Sequence, residues 1–142
     1  LSDRIERIVN YLNMRLPSLG KTVELVNDIQ PGVMINANGS LLAWSIENII
    51  RNGIDAIERD DGKVSVTLRE KKDDIKIRII DNGKGIPKKD WKNIFRPGFS
   101  TKHAGWGLGL SLSIRIVEEI HGGKLQVLNS SKELGTTLEI IL

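Results

Sequence analysis

Between Lys63 and Asp81 the chain alternates twice. Val64, Val66 and Leu68 take every second place, then Ile75, Ile77 and Ile79, with Lys71-Lys72-Asp73-Asp74 between the two runs. Period-two patterning gives an antiparallel hairpin one apolar face and one polar face. Such a sheet cannot leave its apolar face in water, so a second layer must cover it.

The rest of the chain supplies that layer. Ile5, Ile8, Val9 and Leu12 recur at helical spacing over residues 3–15, before Pro17 and Gly20. Asn38-Gly39-Ser40 caps a long helix expected to run to about Glu58, and Asp60-Asp61-Gly62 ends it. A third helix is expected from Leu108 to His121, ended by Gly122-Gly123. Its apolar positions Leu110, Leu112, Ile114, Ile116, Val117 and Ile120 cover so wide a face that heavy burial is expected. Short strands are expected at 22–27, 32–36, 124–129 and 136–142, and a short helix within 87–95. The expected class is α+β, a two-layer sandwich with helices on one face of a mostly antiparallel sheet. A chain of 142 residues is one domain's worth, so residues 1–142 are read as a single domain.

Composition narrows the chemistry. There is no cysteine, which excludes disulfides, zinc-thiolate sites and thiol nucleophiles. A net charge of +3, dispersed along the chain, suits an anionic ligand without pointing to nucleic acid. The apolar runs fall far short of the ~20 residues that span a membrane. The chain begins at Leu1 rather than Met, and a fragment of something longer is expected.

Three constellations carry chemistry. On the long helix, stepping about 100° per residue, Asn52 and Asp55 fall within about 40° of Asn48, while Ile46, Ile50 and Ile57 lie opposite. Asparagine is a mediocre helix former, so an amide stripe is either a solvated surface or a ligand face; an amide oxygen suits Mg²⁺ on nucleotide phosphates. Asp81-Asn82-Gly83-Lys84-Gly85-Ile86 follows a strand. It reads as a turn, or as a carboxylate that accepts from an exocyclic amine beside glycines allowing close backbone approach. Gly105-Trp106-Gly107-Leu108-Gly109-Leu110 opens the last helix, as a simple entry device or as an anion site. It is neither the dinucleotide fingerprint nor a P-loop. Six of the 14 glycines fall between Gly83 and Gly109, which marks a long functional loop.

Taken in order, these segments resemble the catalytic ATP-binding domain of bacterial sensor histidine kinases, within the gyrase, heat-shock chaperone, histidine kinase and mismatch-repair ATPase superfamily. Asn48 to Ala56 resembles the N box, Asp81 to Ile86 the G1 box, Ile94 to Lys102 the F box and ATP lid, Gly105 to Leu110 the G2 box, and Gly135-Thr136-Thr137 the final Gly-Thr element. The resemblance implies the Bergerat fold, a sandwich with a mixed sheet and an ATP lid. It implies that Asp81 accepts from the adenine N6 amine, with Gly83, Gly85 and Ile86 close by and Thr136 holding a water. Asn52 would ligate Mg²⁺ with Asn48 alongside. Gly105, Gly107, Leu108, Gly109 and Leu110 would cradle the phosphates, and Lys102 would reach the terminal one. Phe95 and Phe99 would anchor the lid.

The superfamily's hydrolases usually place a Glu where this chain has Asn48. Glu47 points about 100° away, and an amide is no general base at neutral pH. The implied reaction is therefore transfer of the ATP γ-phosphoryl group to a histidine, by positioning and charge neutralisation. No acceptor is expected in this fragment, since His103 lies in the lid and His121 reads as a helix cap. The implied partners are the protein's own dimerisation and phosphoacceptor domain and, indirectly, a response regulator. Neither nucleic acid nor membrane contact by this domain is implied. A cytoplasmic location follows, the parent being either free or anchored in the inner membrane. A nucleotide-binding pseudokinase or scaffold and a superfamily-type ATPase are the alternatives.

Overall fold

The structure is a computed structural model that describes residues 1–17, 22–58, 60–99 and 109–142. In chain order the elements are α1 (Ser2–Arg15), β1 (Glu24–Ile29), α2 (Gly39–Asp55), β2 (Lys63–Lys71), β3 (Asp74–Asp81), α3 (Gly109–Arg115), β4 (Lys124–Ser131) and β5 (Gly135–Ile141). Two 3₁₀ turns, Lys88–Asp90 and Asn93–Phe95, precede α3, and a π-helical turn, Ile116–Ile120, prolongs it.

The strands form one sheet in the order β1-β2-β3-β5-β4. β1 runs parallel to β2, and the other pairs are antiparallel. The sheet is therefore mixed and mostly antiparallel, with the helices on one face, as expected. The alternating residues of β2 and β3 face the helices: Val64, Val66, Leu68 and Ile77 are fully buried. They meet Ile46, Ile49 and Ile50 of α2 and Ile5, Val9 and Leu12 of α1 in one core. Each such side chain stabilises the fold by about 1.5–3 kcal/mol.

Several expectations are corrected. Residues 32–36 form no strand. Gly32 sits at φ +74°, and the Val33 backbone is tied to the start of α1. Its N–H donates to Ser2 Oγ at 2.9 Å, and its carbonyl accepts from Leu1 N at 3.0 Å, so no ladder can form there. Helix α2 ends at Asp55 rather than near Glu58. The chain turns so that Ile57 enters the core and the Ala56 carbonyl accepts from Lys84 N–H at 3.1 Å. The helix expected within 87–95 is two 3₁₀ turns, in which the Asp90, Trp91 and Arg96 N–H groups donate three residues back, and Trp91 Nε1 donates to the Ile86 carbonyl at 2.9 Å. The last helix widens after Arg115, where His121 N–H donates to the Ile116 carbonyl five residues back. That rotation leaves Ile120 exposed, and Leu112 is exposed as well, so the buried face is narrower than the pattern implied.

His121 does cap the helix end. Its Nδ1 lies 2.8 Å from the Ile116 carbonyl, and its Nε2 accepts from Asn38 N–H at 3.0 Å. A ring nitrogen that accepts carries no proton, so Nδ1 is the donor. The imidazole thus fastens the end of the last helix to the N-cap of α2. There, Asn38 Oδ1 accepts from Leu41 N–H at 3.1 Å.

Candidate functional site

β3 continues its inward alternation for one more step, Ile75-Ile77-Ile79-Asp81, and so delivers a carboxylate to the covered face. Asp81 is 6% exposed. Its Oδ1 accepts from Gly83 N–H at 2.8 Å, and the Thr136 backbone N–H supports it too. Thr136 stands opposite Asp81 in the β3–β5 register and is itself buried. Burial raises the Asp81 pKa from an ordinary 3.8 to about 6, with the two backbone hydrogen bonds pulling the other way.

The backbone packs tightly around this acid. A Cβ on Gly135, at φ +86°, would lie 2.0 Å from the Asp81 carbonyl oxygen. One on Gly83 would lie 2.6 Å from the Ala56 carbonyl, and one on Gly85 2.4 Å from the Ser131 carbonyl. The α2 face toward Asp81 is Gly53, whose added Cβ would stand 3.5 Å from Asp81 Oδ2. Beyond Gly85, Ile86 N–H donates to Ser130 Oγ at 2.7 Å, and that hydroxyl pairs with Thr136 Oγ1 at 2.7 Å. Asn82 anchors the same loop, its Oδ1 accepting from Lys63 N–H at 2.7 Å and its Nδ2 donating to the Asp61 carbonyl at 3.0 Å.

Along α2, about 7.5 Å from Gly53, comes Asn48. Its Nδ2 donates to Ser113 Oγ at 3.4 Å, and the Ser113 hydroxyl donates to the Gly109 carbonyl at 2.8 Å. Asn52 Nδ2 donates to the Asn48 backbone carbonyl at 3.0 Å. Both amides are half-buried. Glu47 is turned away to Arg51, 3.3 Å distant. Among the described residues no group of three or more His, Cys, Asp or Glu could hold a metal.

The structure thus brings together Asp81, Gly83 and Thr136 at one end, and Asn48, Asn52 and Gly109 at the other. Gly85 and Ile86 hold the loop that follows β3 against Ser130 and Ser131 of β4, and Leu110 follows Gly109 in α3. Lys102, Gly105, Gly107 and Leu108 lie outside the described residues. A cleft of about 460 Å³ lined by Glu58, Asp61, Asn82, Gly83, Lys84 and Lys132 adjoins the loop. It shares Gly83 with the site but does not reach Asp81, Asn48 or Asn52.

Three participants were not selected from the sequence. Ser113 had a signal: it stands four residues after Gly109 and faces the same way. Gly53 had one too, since a mid-helix glycine costs about 1 kcal/mol and marks close approach. Ser130 had none, because an irregularity between Val127 and Asn129 shifts its register.

Residues 38–142 match the family described as histidine kinase-, DNA gyrase B-, and HSP90-like ATPase. Over 111 residues the chain is 35% identical to sporulation kinase C of Bacillus subtilis, covering 78% of this chain and 25% of that protein. Over 116 residues it is 40% identical to the sensor histidine kinase ZraS of Escherichia coli K12, covering 82% of this chain and 24% of that protein. The chain therefore spans about a quarter of the length of these curated relatives. The nucleotide-free catalytic domain of histidine kinase ThkA shares the fold, with a TM-score of 0.86 at 23% identity over 100% of this chain and 91% of that one. ThkA in complex with the response regulator protein TrrA aligns with a TM-score of 0.82 at 22% identity, over 100% of this chain and 40% of that one.

Proposed function

The chain belongs to the histidine kinase-, DNA gyrase B-, and HSP90-like ATPase family, and from that premise we propose that it binds Mg-ATP and donates the γ-phosphoryl group to a histidine on another domain. It would act as the ATP-binding catalytic domain of a sensor histidine kinase in two-component signalling. The fold is the Bergerat sandwich of that family.

The observation that carries the reading is the pairing of a buried carboxylate with an amide face. Asp81 is an acceptor when ionised, sits at the end of a strand and is held by backbone N–H groups. That arrangement suits the adenine N6 amine, which donates. Thr136, in register with it, supports a bridging water. Asn48 and Asn52 offer neutral oxygens of the kind that suit Mg²⁺. Bound there, the ion would neutralise charge on the phosphates. Gly109 and Leu110, with Lys102, Gly105, Gly107 and Leu108, complete the proposed phosphate contacts.

Transfer rather than hydrolysis is favoured by the position four residues before Asn52. An amide stands there, and the neighbouring acid Glu47 is engaged by Arg51. Neither can activate a water at the phosphate end. The acceptor would lie on a dimerisation domain of the parent protein, with a response regulator downstream. The complex of ThkA with TrrA supports that order. Among the described residues no helix is long and apolar enough to cross a membrane. We place the domain in the cytoplasm, with no contact to membrane or nucleic acid.

The test is calorimetric titration of Mg-ADP, followed by incubation with γ-labelled ATP. The fragment is expected to bind nucleotide and to remain unlabelled until a phosphoacceptor domain is supplied in trans. Stoichiometric label on His121 or His103 from ATP alone would overturn the assignment of the acceptor. Multiple turnover by the fragment would return it to the hydrolases, and binding without transfer in the full-length chain to the pseudokinases.

A further inference from the structure

Resting on the Mg-ATP reading, we propose that Ser113 is a positioning residue: its hydroxyl orients the Asn48 amide so that the carbonyl oxygen, not the nitrogen, faces the metal–phosphate end of the nucleotide. The case is one of proton inventory. Ser113 is fully buried, and its Oγ lies 2.8 Å from the Gly109 carbonyl. A carbonyl can only accept, so the single hydroxyl proton is committed to it. What Ser113 then offers Asn48 is lone pairs alone. Of the two ends of the Asn48 side chain, only Nδ2 carries protons, and it is the end found 3.4 Å from Ser113 Oγ. The flipped amide would set Oδ1 against those lone pairs, a repulsion rather than a hydrogen bond. Nδ2, not Oδ1, is therefore the end held at Ser113 Oγ.

Gly109 completes the clamp. A Cβ there would lie 2.5 Å from Asn48 Nδ2 and 2.6 Å from Oδ1, so the amide lies against the bare α-carbon. Serine bonding back to the carbonyl four residues earlier is ordinarily neutral or mildly unfavourable within a helix. Here the same bond fixes the sense of the acceptor that Asn48 meets. Groups behind a metal ligand commonly set its orientation, and removing one costs about tenfold or more in metal affinity.

The experiment is titration of ADP into the fragment with Mg²⁺ and with EDTA. For Ser113→Ala the enhancement of affinity by Mg²⁺ is expected to fall about tenfold, with affinity in EDTA unchanged. In an Asn48→Asp background both ends of the side chain are oxygens, so adding Ser113→Ala is expected to change the Mg²⁺ enhancement less than twofold. Equal loss with and without Mg²⁺, or no loss in either, would overturn the inference and leave the Mg-ATP reading standing. A folded wild type that binds no ADP in either buffer would overturn that reading and this inference with it. A measurement on the wild type needs no variant. One Asn48 Nδ2 proton should show a nuclear Overhauser effect to the Ser113 β-protons, and its absence would overturn the orientation.

Discussion

At one end of the site a carboxylate is fixed by main chain; at the other an amide is fixed by side chains. Asp81 inherits its place from the β3–β5 register, from two backbone donors and from glycines pressed against carbonyls. Asn48 inherits its place from one hydroxyl and one bare α-carbon on the next helix. The first end can shift only if the sheet shifts. The second can be adjusted by a single rotamer. On the proposed reading, a recognition element for a rigid ring and a contact for a flexible phosphate chain call for that division.

The sharpest way to break the contrast is a pair of identical substitutions. Gly135→Ala drives a Cβ into the Asp81 carbonyl at a positive φ, and it is expected to cost about 3–4 kcal/mol in chemical denaturation. Gly109→Ala meets only the end of the Asn48 side chain, which can swing aside. It is expected to cost less than about 1 kcal/mol of stability while reducing the Mg²⁺ enhancement of ADP binding as Ser113→Ala does. Comparable losses of stability in the two variants would erase the distinction.

Next in size is Asp81→Asn, for which calorimetry is expected to show a loss of ADP affinity of about a hundredfold or more. Its effect on the free domain has the opposite sign. Because the folded carboxyl titrates near 6 rather than at 3.8, the folded state holds its proton more tightly than the unfolded state. Wild-type stability should therefore fall as pH rises from about 4 to above 6, by about 3 kcal/mol for the difference in pKa. Asp81→Asn should flatten that slope and be the more stable protein at pH 7. A wild-type profile that rises across the same window would contradict the assignment. ADP affinity should fall below about pH 6, as the acceptor becomes protonated.

Smallest is Gly53→Ala. The added methyl would stand in ordinary contact with Asp81, and helix propensity favours alanine. A gain of about 0.5–1 kcal/mol is expected, with ADP affinity changed less than threefold. A large loss of affinity would mean that the gap above Asp81 is itself part of the ligand site.

The same contrast explains what could be read from the residues alone. Asp81 was legible because it follows an alternating strand and is followed by Gly83 and Gly85, and the amide stripe because helical geometry aligns Asn48 with Asn52. Both are short-range signals. The strand expected at 32–36 failed because the hydrogen bonds of Val33 go to α1, thirty residues away in sequence. Ser130 escaped because its register is set beyond an irregularity in β4, and the π turn because it ends at His121, which is seated on Asn38 by a tertiary contact. Asn48, Asn52, Asp81, Gly83, Gly85 and Ile86 are among the described residues, whereas Lys102, Gly105, Gly107 and Leu108 lie beyond them.

The parallel strand β1 carries a further consequence. It is an edge strand, paired on one side only, and its partner β2 begins beyond α2. It shares a boundary with α1, through Asn13 Nδ2 on the Leu25 carbonyl, and α1 in turn holds Val33. Residues 1–17 and 22–33 are thus joined to one another, and they meet the rest along the β1–β2 ladder and through Ile5, Val9, Leu12 and Leu25 in the shared core, all ahead of the matched family segment that starts at residue 38. Such a block can exchange its amide protons in one cooperative opening while the β2-β3-β5-β4 ladders stay closed. The proposed nucleotide site would then keep its shape through fluctuations that release α1 and β1.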